Sequence, residues 1–535
     1  MSSTAENQPT GSRLWSVGDG GRSRLKMRPG PDAIRTLTTA LDAGIVPDTY
    51  VTNGELVVLE QISGAANPAA GDDDVALPLT ASVLRPPRLA GLLAEHADIV
   101  KPKIDEKGNM SYAEYTPPAT VLAPVLARKS WARPVLHRII STPVLRPDGT
   151  LLQTPGYDPA TGFYLAANSH LAPIPEQPTP DQVAAAREFL LDRFLADFPW
   201  RDHQADRANY LALLATPLIR PFTRALSPFG MIEASMPSSG KTILTGCVGL
   251  LVGQRVLTWT DSEEELRKSI TTVLADEAGV VVFDNLVEGE VVNSAVLARL
   301  MTERTWTDRK LGSNSALTFA NDRLWLATGN NLHTGGDMAS RTVWVRLDPN
   351  CPRPEARTGF TIPNLDTWIL DPANRAEVLR HVLILVLDWT ANGAPTSRSV
   401  PPMRQFTRWA QYLGGLLEHH DITGFLANAD AGRDLDDDAG EWRGFLLRWH
   451  ELFGDKQLSA HQLRLLANPE SGDQWNGTFP TTGSGQVVSN KSLGKLLSGQ
   501  VDRWRGDIVL RREKDSDTNA SIYRVERKTD DDKTP

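Results

Sequence analysis

Cysteine is nearly absent from this sequence: Cys247 and Cys351 are the two among 535 residues. Two thiols cannot build a disulfide framework or a four-ligand zinc ribbon, so a reducing, cytoplasmic setting is expected and neither cysteine reads as catalytic. Long apolar runs are missing as well. No stretch approaches a membrane span, and the polar N-terminus has no apolar run long enough for a signal peptide, so no membrane partner is expected. Excess basic charge is also lacking. A net charge of −9 argues against a surface that grips nucleic acid everywhere, while leaving room for a local channel or patch. Internal repeats and heptad runs are absent. What remains is 41% hydrophobic and long enough for three or four domains with sizeable cores.

The most informative stretch runs from Ser235 to Thr242, SMPSSGKT, followed at once by the apolar residues Ile243, Leu244, Cys247, Val248, Leu250 and Leu251. It matches the phosphate-binding pattern GxxxxGK[ST] with Ser235 in place of the first glycine. The chemistry needs a short loop whose backbone N–H groups converge on phosphates at the start of a helix, where the dipole favours negative charge. Ser235, Pro237, Ser238, Ser239 and Gly240 would form that cradle, Lys241 would reach the β- and γ-phosphates, and the Thr242 hydroxyl would bind Mg²⁺. An ordinary turn before a helix is the bland reading. Pro228 to Ile232 before the loop reads as a short buried strand, and that strand–loop–helix setting is what the motif requires.

Three further elements follow. Val280, Val281, Val282 and Phe283 read as a buried strand ending in Asp284 and Asn285, where a second nucleotide-binding strand delivers a carboxylate to Mg²⁺ or its waters. Hydrolytic motors usually carry a second acid at the place of Asn285, so the base is expected to be Glu288, Glu303 or a group from elsewhere. Leu324 to Asn331, LWLATGNN, is a strand ending in neutral amides, and Asn330 there suits a hydrogen bond to the γ-phosphate or the lytic water. Arg341, just before another strand, suits stabilisation of phosphate charge across a subunit boundary; alone it would read as a surface salt bridge.

Around this centre the chain divides into a disordered tail (1–30), an α+β docking module (31–170), a helical connector (171–228), the nucleotide-binding core (229–400), a helical segment (401–440), a terminal domain (441–528) and a charged tail (529–535). The module carries helical runs at Ala33 to Leu41 and Leu89 to His96, and strand-like pieces at Glu55 to Gln61 and Val135 to Pro143. Its Gly64 to Asp74 insertion, acids Asp72 to Asp74 included, reads as a solvated loop. A Pro-rich linker, His170 to Asp181, precedes a helix capped by Asp181. Asp434 to Asp438 reads as a solvated acidic loop. Three helices and a strand–turn–strand after Glu441 read as a winged helix-turn-helix.

Loop, Asp-ended strand, Asn-ended strand and arginine, all within residues 235–341, resemble the motifs of superfamily III helicases, a compact branch of the AAA+ fold. The blocks ADRANYLALLATPLIRP, EEELRKS, VVVFDN, WTDRKLGSNS, ATGNN and SRTVWVRLD resemble the helicase portion of phage and plasmid primase-helicase proteins over about residues 120–460. The resemblance implies an α/β chain with an AAA+ P-loop NTPase core, hydrolysing ATP with Mg²⁺ and assembling into a homo-oligomer, a hexamer by expectation. It also implies translocation on single-stranded DNA through a channel hairpin, for which WTDRKLGSNS supplies Lys310 or Arg309. Departures are Ser235, Asn285, and Ser340 where many phage relatives have a second arginine. The first 170 residues lack the clustered acids of a priming site, so a separate primase or polymerase is an expected partner. A DNA-binding initiator or switch that does not unwind processively is the competing reading. Residues 503–528 hold eight basic residues against five acidic ones, a local balance of +3, and there Arg511 and Arg512 are candidates for duplex phosphates.

Overall fold

A five-stranded parallel sheet organises the chain, and the elements that reach it come first. The helix Pro180–Glu188 (α1) is capped by Thr179, whose hydroxyl accepts from the Gln182 N–H while the Gln182 side chain returns to the Thr179 N–H. Asp181 therefore lies in the first turn instead of at the cap: a threonine with Gln three residues on satisfies two orphan N–H groups at once. The helix continues as a π-helical turn, Phe189–Phe194. A second helix, Ala205–Thr223 (α2), holds Pro217 and Pro221.

Strand Phe229–Ala234 (β1), helix Lys241–Val252 (α3), strand Gln254–Leu257 (β2), helix Glu263–Val273 (α4) and strand Val280–Leu286 (β3) follow in turn. After helix Ala295–Thr302 (α5) comes an antiparallel hairpin of Thr305–Arg309 (β4) and Ala316–Ala320 (β5). Strands Leu324–Asn330 (β6) and Thr342–Leu347 (β7) complete the sheet, in the order β2-β3-β6-β1-β7 with every pairing parallel. β1 and β7 are buried at every position, the pattern of parallel strands covered on both faces. Helices Pro372–Ala391 (α6) and Thr407–His419 (α7) share one hydrophobic core with α1, α2 and the sheet. A buried polar network ties this body together: Asp206 Oδ1 accepts from the Arg346 N–H at 3.0 Å and from Asn428 Nδ2 at 2.6 Å. Burial raises the Asp206 carboxyl to about 6.

The computed structural model describes residues 16–17, 23–61, 79–166, 170–275, 278–309, 316–351, 353–429, 437–467, 474–475, 478–480, 487–502, 504–505, 507–514 and 521–527. Lys310, the 64–74 insertion, most of residues 1–30, Asp434, Arg503, Lys528 and the last seven residues lie outside them. The described part of the expected disordered tail is ordered instead: Ser23–Lys26 is a strand parallel to residues 97–100, and burial of Leu25 and Met27 in the module core holds it there. Asp437 and Asp438 open the helix Asp437–Phe453 and so are not loop; acidic residues suit the positive end of a helix.

The N-terminal module has its own core, with helices Pro31–Asp42, Pro86–His96 and Ala119–Leu126 on two small sheets. The expected strand from Val135 to Pro143 shrinks to Arg138–Ile140: Val135 bridges to Val51 in another sheet, and Pro143 has no N–H for a ladder. The terminal domain combines three helices, Asp437–Phe453, Ala460–Leu466 and Asn490–Gln500, with a four-stranded antiparallel sheet whose long hairpin is Ile508–Lys514 and Ser521–Arg527. Among the described residues no helix is long and apolar enough to cross a membrane.

Candidate functional site

The loop 235–240 leaves the C-terminal end of β1 and enters α3 through Gly240, which stands at the N-cap with φ +97°. A side chain is strained there, and a Cβ on Gly240 would come within 3.1 Å of the Phe198 ring. Ser238 also has positive φ, +59°, and the Ser239 hydroxyl donates to the Met236 carbonyl at 2.6 Å, closing the loop on itself. Ser235, at the place of the usual first glycine, has a job of its own: its hydroxyl donates to Asp348 Oδ1 at 2.9 Å, tying the loop to the residue after β7. Pro237 and Thr242 are exposed.

Lys241 Nζ donates to Asn330 Oδ1 at 2.6 Å, joining the loop to the Asn-ended strand. Burial pulls the Lys241 ammonium below its ordinary range, and the nearby carboxylates of Glu233 and Asp284 oppose that shift. Asp284 Oδ1 accepts from the Thr328 hydroxyl at 2.5 Å, and that hydroxyl in turn accepts from the Asn285 N–H at 2.8 Å. Lys241, Asp284 and Asn330 therefore meet at the C-terminal ends of β1, β3 and β6, three neighbouring strands of one sheet. Asn285 adopts φ +53° with its side chain exposed; asparagine tolerates this left-handed conformation. Of the two candidate bases, Glu288 lies at the same end, accepting from Asn331 Nδ2 at 2.9 Å. Glu303 does not: it pairs with Arg299 at the root of the hairpin, where the sheet strands begin.

Arg341 is likewise at the opposite end, immediately before β7. Its guanidinium donates to the Ala298 carbonyl and to Asp337 Oδ2 at 2.9 Å, and its side chain is 14% exposed, so within one chain it is remote from Lys241 and clasped. Arg309 ends β4 and is exposed. The hairpin itself is anchored, with Asp308 holding Arg267 and accepting from the Thr271 hydroxyl at 2.5 Å, while buried Trp306 donates to the same hydroxyl at 2.9 Å. In the terminal hairpin the basic count overstates the free charge. Arg511 pairs with Asp502 and Glu526, Arg524 with Glu513 and Glu526, and Arg527 with Asp507, which leaves Arg512 and Lys514 exposed without an ion pair among the described residues.

Two features were not anticipated. Glu233 is buried inside β1, bonded to Arg201 Nη1 at 3.3 Å; burial raises its carboxyl, with Arg201 the strongest opposing charge. Its one sequence signal is an acid within the apolar run FGMIEA. A cavity of about 240 Å³ also opens beside the loop, lined by Phe198, Gly240, Ile243, Phe360, Ile362 and Leu365 among others. Its residues come from three separate segments and form no motif.

Oxygen donors suited to Mg²⁺ stand at this end of the sheet: the exposed Thr242 hydroxyl and the Asp284 carboxylate, whose Oδ2 makes no hydrogen bond among the described residues.

No family model and no curated protein matches the chain. Among solved structures it is similar to the A form apo structure of the NrS-1 C terminal region, at 11% identity and TM-score 0.34, over 80% of this chain and 96% of that one. The X-ray structure of JCV helicase is similar at 15% identity and TM-score 0.18, over 47% of this chain and 72% of that one.

Proposed function

We propose that the chain is an ATP-dependent DNA helicase of superfamily III, the replicative helicase of a phage, prophage or plasmid, working as a ring, a hexamer by resemblance, on single-stranded DNA. One observation carries the reading: a lysine at the start of a helix, an aspartate and an asparagine converge at the ends of three adjacent parallel strands, with Lys241 and Asn330 2.6 Å apart. The strand order β2-β3-β6-β1-β7, which sets the Asn-ended strand between the loop strand and the Asp-ended strand, supports the AAA+ form of this reading.

In this mechanism the loop N–H groups and Lys241 hold the β- and γ-phosphates of ATP, and Lys241 neutralises charge as it develops on the transferred phosphoryl group. Thr242 and Asp284 would hold Mg²⁺, which would supply positive charge against the phosphates. Asn330, bonded to Lys241, would sense the γ-phosphate, and Glu288, which shares that end of the sheet, would orient water. The apolar cavity beside Gly240 takes the base. Arg341 acts on a neighbouring subunit's nucleotide, which requires its release from Ala298 and Asp337. Arg309 and Lys310 follow single-stranded DNA at the hairpin, and Arg512 in the terminal winged helix meets duplex phosphates, with Arg511 available once its ion pairs open. A primase or polymerase would be supplied separately.

The exposed Asn285 in place of an acid favours a second reading, an ATP-dependent initiator or switch that binds duplex DNA without processive unwinding. Forked DNA separates the two. The helicase reading expects ATP-driven strand separation by the wild type and none by Lys241→Ala, whose far-UV dichroism stays native. Duplex binding and ATP turnover without strand separation would select the switch. Turnover in Lys241→Ala equal to wild type would remove both.

A further inference from the structure

Away from the nucleotide site, the C-terminal part of α6 meets the end of α7 through a side-chain cluster that the helicase reading does not use. Asp388 lies on α6, His419 is the last residue of α7, and His420 follows it as the C-cap. One oxygen or nitrogen atom from each lies within 4.8 Å of the other two. We propose that Asp388, His419 and His420 form a binding site for a divalent transition-metal ion, Zn²⁺ being the best chemical match, which pins the end of α7 to α6.

The hydrogen bonds around the cluster leave its inward-facing atoms in ligand form. His420 Nε2 lies 2.8 Å from the Leu385 carbonyl, an acceptor only, so Nε2 carries the proton and Nδ1 of the neutral ring presents its lone pair. In that tautomer the lone pair faces Asp388 Oδ2 at 3.9 Å, beyond hydrogen-bond reach, and two acceptors confront each other. A cation resolves this confrontation. A carbonyl that fixes the outer nitrogen of a ligating imidazole is also the usual support around bound metal.

The third donor is in place. His419 Nε2 approaches the same Asp388 Oδ2 at 2.9 Å, and the two imidazole rings stand edge to face, their centroids 4.8 Å apart. Without a metal this contact is a plain His–Asp hydrogen bond; small side-chain rotations convert the three atoms into a two-histidine, one-carboxylate set. Imidazole nitrogen with one carboxylate oxygen suits Zn²⁺ and related ions and does not suit Mg²⁺ or Ca²⁺. His420 is nearly inaccessible, with its side chain 2% exposed, whereas Asp388 and His419 are 21% and 23% exposed, so an ion can enter from that side and keep water as a fourth ligand. Arg187, the nearby cation on α1, is turned to the His420 carbonyl at 2.9 Å.

The test uses the full chain carrying Cys351→Ser, which removes the partly exposed thiol as a competing ligand, stripped with chelator and dialysed against Zn²⁺ alone. The expected result is one Zn²⁺ per chain, a raised unfolding temperature, and a Co²⁺ derivative with visible ligand-field bands. His419→Gln keeps a donor to Asp388 but not the imidazole, and it should lose at least about 10-fold in Zn²⁺ affinity, the scale on which even an outer partner matters. Asp388→Asn should do the same, and both should keep wild-type ATP turnover and far-UV dichroism. Zn²⁺ stoichiometry and affinity unchanged in both variants, or no ion retained by the parent at micromolar Zn²⁺, would overturn the site and leave a His–Asp hydrogen bond only. Neither result bears on Lys241.

Discussion

Thr328→Val tests how the Asp-ended and Asn-ended strands are joined. Thr328 is 1% exposed, and its hydroxyl does two things at once: it donates to Asp284 Oδ1 and accepts the Asn285 N–H. Valine fills the same volume, so no cavity term enters. What is lost is one charge-assisted bond, about 1.5–3 kcal/mol, and a satisfied backbone donor, about 1–3 kcal/mol if buried. Asn285 and Asp284 have partial access to water, which takes up part of that loss, so a net destabilisation of about 2–4 kcal/mol is expected. The functional effect should exceed what stability alone brings. Asp284 without its support should bind Mg²⁺ about 10–100-fold more weakly, as when outer partners of metal ligands are removed. Urea unfolding gives the first quantity, and ATP turnover against Mg²⁺ concentration gives the second. Thr328→Ser is the control: it loses one methyl, about 1 kcal/mol, but keeps both hydrogen bonds and the wild-type Mg²⁺ profile. Unfolding within 0.5 kcal/mol of wild type together with an unaltered Mg²⁺ midpoint in the valine variant would refute the reasoning.

Gly240→Ala should cost roughly 1–3 kcal/mol in stability and weaken nucleotide binding, since alanine at φ +97° is strained and its methyl meets the Phe198 ring; ATP affinity by calorimetry checks this. Arg341→Ala loses its clasp to Ala298 and Asp337, so unfolding should become easier by about 1–3 kcal/mol. If Arg341 also acts in trans, mixed rings with Lys241→Ala regain partial ATP turnover, and rings that assemble yet regain none remove that role. Asp206 predicts a pH effect of unusual sign. Its carboxyl is raised from 3.8 to about 6, so the folded chain binds the proton more tightly than the unfolded one. This contribution is fully present below pH 3.8 and is lost as pH rises through 6. The stability of wild type relative to Asp206→Asn should therefore be greater at pH 4.5 than at pH 7.5, by up to about 3 kcal/mol, and a flat difference would count against the buried network.

The parts of the site that were legible in the sequence are local ones. Gly240, Lys241 and Thr242 are neighbours in the chain, and the apolar runs before Asp284 and Asn330 announce strands that deliver these two half-buried residues to one end of the sheet. The helix and strand cores were legible for the same reason, by periodicity. What escaped was long-range. That Thr328 supports Asp284, that Ser235 bonds to Asp348, and that Phe198, Phe360 and Ile362 wall a cavity all depend on which strands lie side by side and where loops return. The terminal hairpin illustrates the same limit from the other direction. A tally of charges treats Arg511, Arg524 and Arg527 as available, but strand pairing brings Glu526, Glu513 and Asp507 beside them.

The sheet also has a mechanical meaning. β3 and β6 are seven residues each, about 20 Å of extended chain, and they separate the Lys241 end from the end that bears Arg341 and the hairpin root. No side chain spans that length. The physical link between the two ends is the pair of mutually bonded strands in a packed core, and at the far end Asp308 holds Arg267 and Thr271. The described arms of the hairpin, Thr305–Arg309 and Ala316–Ala320, are therefore fastened at the end of the sheet remote from Lys241.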